Sequence, residues 1–109
     1  ATLPTALTIT PESLVPVILR RLPGVVAVYL FGSEARGAAR EESDLDLAVL
    51  AEGPIPGKTL WETAQALAAL AGREVDLIDL ARASTVMQMQ VVTGGRRVHC
   101  ADENACESF

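Results

Sequence analysis

Asp44 and Asp46 flank a single leucine at the head of the apolar run LDLAVL, and ten residues upstream another apolar run, VVAVYLF, closes on Gly32-Ser33. With a side-chain period of two, both carboxylates share one face of a strand while Leu45 points into the core. Two carboxylates so close repel each other, and a divalent cation lets both stay ionised. Hard oxygen ligands suit magnesium or manganese, which keep several waters and complete their octahedron with substrate phosphates. The acids therefore imply a phosphate-bearing substrate. On the upstream side, Gly32 allows the backbone to approach an anion and Ser33 adds a hydroxyl donor. Arg36, within the same turn, is placed to set a guanidinium against phosphate oxygens.

A third acid comes from EVDLIDL, where alternation puts Glu74, Asp76 and Ile78 on one face and Val75, Leu77 and Asp79 on the other. Asp76 is the candidate to reach the metal and take the proton from an attacking hydroxyl, provided its strand lies beside that of Asp46. Asp79 is expected at the surface or as a cap before the next helix. On its own, EESDLD is a solvated turn; joined to Gly32-Ser33 at this spacing, it becomes a site. Glu34, Arg40, Glu41 and Glu42 belong to the wet connection.

The elements that must position these groups follow from periodicity. TPESLVPVILRRLPG has helix start signals at Thr10-Pro11 and again at Ser13, carries Leu14, Val17, Ile18 and Leu22 at helical spacing, and fits Pro16 in a first turn only if the helix begins near Ser13. GVVAVYLFG and LDLAVLAEG read as strands ended by glycine. TLWETAQALAALAG reads as a helix capped by Thr59 and closed by Gly72. REVDLIDL is a third strand, ARASTVMQMQVVTGG a helix, and RRVHC a last short strand. Residues 1–9 and 101–109 are expected as tails of a single domain over 1–109. The order helix, strand, strand, helix, strand, helix, strand predicts an α/β (α+β) domain with a mixed sheet of about four strands flanked by helices.

Composition bounds the function. The 109 residues suffice for one core, and half are hydrophobic while only 4% are aromatic, which calls for a core of Leu, Val and Ala. A formal charge of -5 opposes grip on extended nucleic acid. No run suits a bilayer crossing or a signal peptide, so no membrane partner and a cytoplasmic location are expected. Cys100 and Cys106 lack zinc-site spacing and read as free thiols, in preference to a disulfide or a metal site with His99. Met87 and Met89 read as core filler, and Trp61 either as core or as an exposed anchor.

Taken together, YLFGSEARG, SDLDLAVL and VDLIDL resemble the Gly-Ser, Asp-x-Asp signature of the polymerase-beta-type nucleotidyltransferases, in the short form called minimal nucleotidyltransferases. The similarity runs from the helix near Ser13 to about Cys100. It implies the polymerase-beta-like fold and transfer of AMP from ATP to an acceptor hydroxyl with release of pyrophosphate. Asp44 and Asp46 would then bind two Mg2+ ions, with Asp76 as third ligand and base. Gly32 and Ser33 would hold the terminal phosphates, supported by Arg36. Larger members carry a further domain that grips the acceptor, and none is expected here. Minimal members are typically encoded with an all-helical HEPN-type toxin, so the resemblance implies an antitoxin that adenylylates a tyrosine of that partner within a hetero-oligomer. The alternatives are a non-catalytic antitoxin that neutralises by binding, and an adenylyltransferase acting on a small molecule.

Overall fold

In the computed structural model, residues 10–32 and 45–101 are described. The chain runs α1 (Pro11–Arg21), β1 (Val25–Phe31), β2 (Leu45–Ala51), α2 (Gly57–Ala71), β3 (Val75–Asp79), a 3-10 turn (Leu80–Arg82), α3 (Thr85–Gly94) and β4 (Arg96–Cys100). The strands form one mixed sheet in the order β3-β2-β1-β4. β1 is antiparallel to β2 and to β4, while β2 and β3 are parallel. A parallel pair needs a crossover, and α2 supplies it.

β1 and β2 are central and covered on both faces, which is why they read as nearly unbroken apolar runs. On one face Val28, Leu30, Leu45, Leu47, Val49, Val75 and Leu77 pack with Leu14 and Ile18 of α1 and Leu67 of α2. On the other, Ala27, Tyr29, Ala48 and Leu50 meet Leu80 and Val91. α3 is thus the lid of a second, thinner layer, and Val91 is its only buried residue. Among the described residues no helix is long and apolar enough to cross a membrane.

Several local expectations are corrected. α1 starts at Pro11 with Thr10 in the N-cap position, so Pro16 lies inside the helix, on its exposed side. A proline there removes the bond to the carbonyl of Glu12, and exposure lets water replace it. α2 begins at Gly57 after Pro56 with no side-chain cap, so Thr59 sits within the helix rather than capping it, and its carbonyl accepts from Thr63 Oγ1 at 2.7 Å. Gly72 does end α2 in the left-handed region, at φ 70°. The segment after β3 is two pieces: the 3-10 turn, then α3, capped by Ser84, whose hydroxyl accepts from Met87 N at 3.1 Å.

Candidate active site

The parallel register sets Asp46 of β2 directly beside Asp76 of β3, and the antiparallel register sets Phe31 of β1 beside Asp46. Laterally paired residues project from the same face, so Asp76, Asp46 and Phe31 form a row across three strands. The face is fixed by neighbours at a period of two. Leu45, Leu47, Val75 and Leu77 belong to the α1/α2 core, whereas Ala48, Phe31 and Ile78 belong to the α3 layer. The acids therefore project on the α3 side, at the end of the sheet where β1 finishes and β2 and β3 begin. Asp46 is half-buried and Asp76 exposed.

Gly32 completes the row. It adopts φ 74°, in the left-handed region, and a Cβ added there would fall on Asp46 Oδ2, with Asp46 Cγ 3.2 Å away. Glycine is required on both counts: the turn out of β1 needs positive φ, and the Asp46 carboxylate occupies the space of a side chain. Thus the backbone at the end of β1 and the metal-binding candidate are in direct contact.

Of the sequence-predicted site residues, the structure brings together Gly32, Asp46 and Asp76. Ser33, Arg36 and Asp44 lie outside the described residues, as do Glu34, Arg40, Glu41 and Glu42. Among the described residues no three metal-ligating side chains converge. The donor set that is described, two carboxylates side by side in a parallel register, is the hard-oxygen chemistry that suits Mg2+.

Asp79 is not at the surface, and although it stands at the N-cap position of the 3-10 turn its side chain makes no capping hydrogen bond. Its side chain is 10% exposed, its two oxygens are buried without a hydrogen bond, and Arg82 Nε stands 3.6 Å from Oδ2 as an ion pair. On β4, Val28 pairs with His99 and Ala27 with Cys100, so the two side chains leave opposite faces and cannot share a metal. Cys100 is disulfide-bonded, which overturns the free-thiol reading for that residue; Cys106 lies outside the described residues. Met87 packs partly into the α3 layer, whereas Met89 and Trp61 are exposed at 60% and 64%. Met89 is therefore not core filler, and Trp61 is the exposed alternative.

Sequence reasoning missed a cleft of about 490 Å³ lined by Phe31, Gly32, Gln90, Thr93 and Gly94. It lies between the end of β1 and the last turn of α3. The signal was present as the polar residues Gln88, Gln90 and Thr93 among the apolar ones of α3, but only the fold shows which of them turn toward Gly32. A smaller cavity of about 280 Å³, around Pro23, Pro54 and Pro56, lies at the opposite end of the sheet.

A mixed four-stranded sheet with helices on both faces, a left-handed glycine closing the first strand and acids aligned on the next two, is the arrangement of a nucleotidyltransferase fold. The family model "Polymerase beta, Nucleotidyltransferase" matches residues 15–104, and the chain belongs to that family. It is 39% identical over 87 residues to protein adenylyltransferase MntA of Shewanella oneidensis, a match covering 80% of this chain and 63% of that relative's length. A crystal structure of a toxin-antitoxin with AMP-PNP superposes with a TM-score of 0.81 at 36% identity, covering 87% of this chain and 77% of the other. A structure of tri-AMPylated Shewanella oneidensis HEPN toxin in complex with MNT antitoxin gives 0.77 at 35% identity, covering 90% and 75%.

Proposed function

We propose that the chain is a Mg2+-dependent protein adenylyltransferase that moves AMP from ATP to a hydroxyl, a tyrosine, of a HEPN-type toxin, and thereby acts as its antitoxin in the cytoplasm. The observation that carries the reading is the alignment of Asp76, Asp46 and Gly32 across three strands. The names of the matched proteins supply the nucleotide and the partner.

In-line displacement at the α-phosphorus asks the protein for positioning and charge neutralisation more than for covalent help. Asp46 and Asp76, with Asp44 from the segment before β2, are the residues that would hold the metal ions, whose bound form neutralises the developing charge on the phosphate oxygens. Asp76, the most exposed of the row, faces solvent where an incoming hydroxyl arrives and can accept its proton. Gly32 brings backbone next to the metal site, and Ser33 and Arg36 follow it in sequence as donors for the terminal phosphates.

Incubation with Mg2+, α-labelled ATP and the HEPN-type partner should label the partner, and Asp44→Ala with Asp46→Ala should abolish the label while circular dichroism stays native. If that double variant labels and neutralises the toxin as well as wild type, the catalytic reading is wrong. Neutralisation without labelling by both proteins would instead favour an antitoxin that acts by covering its partner.

A further inference from the structure

α3 is apolar on two sides. Met87 and Val91, four residues apart, pack inward on the sheet, whereas Val86, Met89 and Val92, three apart, leave from the opposite side at 67, 60 and 45% exposure. The other large apolar side chains exposed among the described residues, Trp61 and Leu70, are on α2, so these three form a patch and not scatter. Beside them the outward side carries Thr85 and Thr93 and no charge, in a chain whose formal charge is -5. A helix apolar on both sides belongs between two layers, and the sheet supplies the inner one.

The patch is continuous with the candidate site. The last turn of α3 shares a cleft with Phe31 and Gly32, and Gly32 lies against Asp46, so a protein that brings a hydroxyl to the acids from the α3 side of the sheet comes up against this end of the helix. Resting on the adenylyl-transfer reading, we infer that the outward face of α3, with Met89 at its centre, is the docking surface for the acceptor protein, which lays the apolar side of one of its own helices along Val86, Met89 and Val92. Ridges at spacings of three and four are met by the ridges of another helix. From Val86 to Val92 the ridge is about 9 Å long at 1.5 Å per residue, and a partner helix that runs on past its C-terminal end reaches the row of acids. A nucleic acid finds no cation on this face. A second copy would set α3 on α3 and obstruct the approach to both sites at once. Affinity for the acceptor therefore resides in α3, and turnover in the acids.

Titration calorimetry of the full chain against the HEPN-type partner, together with initial rates of labelling by α-labelled ATP and Mg2+ at graded partner concentration, tests this. Met89→Glu sets a charge in the middle of the apolar contact, and because Met89 is exposed the melting temperature should stay within a few degrees of wild type. Its Kd and its KM for the partner should each rise about tenfold or more, while kcat at saturating partner stays within about twofold. Val92→Lys should act in the same direction, and Met89→Leu should bind as wild type does. Trp61→Glu, on α2 across the sheet, should change neither constant. Wild-type Kd in both Met89→Glu and Val92→Lys would overturn the assignment, as would an equal loss in Trp61→Glu or a wild-type chain that does not bind the partner. A wild-type chain that sediments as a dimer, and that Met89→Glu separates, would give the face to a second copy and overturn it too. Partner binding that weakens as expected, with no AMP transferred by the wild-type chain, would leave the docking surface standing and defeat the transfer reaction.

Discussion

Gly32 is the residue on which the site is most finely balanced. Gly32→Ala forces a side chain into a left-handed conformation, a cost of about 1 kcal/mol, and drives its Cβ against the Asp46 carboxylate. The expected outcome is a fall in the apparent Mg2+ affinity of at least about tenfold, read from the metal dependence of labelling, with a melting temperature lowered by only a few degrees. Asp76→Asn keeps the shape and removes the base. Transfer should fall by about 100- to 10,000-fold, with ATP-analogue binding weakened far less. Spacing told which acids can share a face, whereas Asp76 beside Asp46 was conditional on β3 lying next to β2, which the parallel register shows. The contact between Gly32 and Asp46 was not legible, because it depends on the β1–β2 register, which no local pattern encodes.

Among the elements, α3 decides the shape of the cleft, and Gly95 decides how closely α3 sits. A Cβ at Gly95 would collide with the carbonyl of Val91 and lie 2.9 Å from the carbonyl of Leu30, so the last turn of α3 rests almost directly on the β1 backbone. Gly95→Ala should lift that turn and destabilise the fold by about 1 to 3 kcal/mol in urea titration. Ser84→Ala, at the other end of the helix, removes its cap. A loss of about 1 kcal/mol is expected there, with the nucleotide affinity retained. Element types and order were readable throughout, whereas helix starts were misread in two places. Of the two starts offered for α1, Thr10-Pro11 is the one used, while α2 begins at Gly57 after Pro56 with no side-chain cap, so the search for a capping hydroxyl led too far, to Thr59. Past Asp79, one apolar pattern hides a break, because Leu80 must turn back into the core before α3 can start. The ion pair of Asp79 with Arg82 spans that break, and spacing alone presents Asp79 as an ordinary cap.

For the whole molecule, the thick α1/α2 layer holds most of the core and the candidate acids face the thin α3 side of the sheet. Leu67, fully buried between α2 and the sheet, is far from the acids in this sense. Leu67→Ala should cost about 2 to 5 kcal/mol of unfolding free energy, with specific activity retained in the folded fraction. Central strands were legible as a buried sheet because both faces are apolar, yet that same feature removes the alternation that would have told the two layers apart.

The parallel pairing of β2 with β3 also sets a timetable. The β1–β2 pair is antiparallel and can form early, whereas Asp76 reaches Asp46 only after α2 has folded and closed its crossover. The acids of β2 and β3 therefore come together only once the crossover has closed, and a half-folded chain lacks Asp76 beside Asp46. In stopped-flow refolding, the recovery of Mg2+-nucleotide binding should lag behind compaction, and the two should share one rate constant only if the crossover closes in the rate-limiting step. Nascent chains would thus be protected from capturing nucleotide before their sheet is complete.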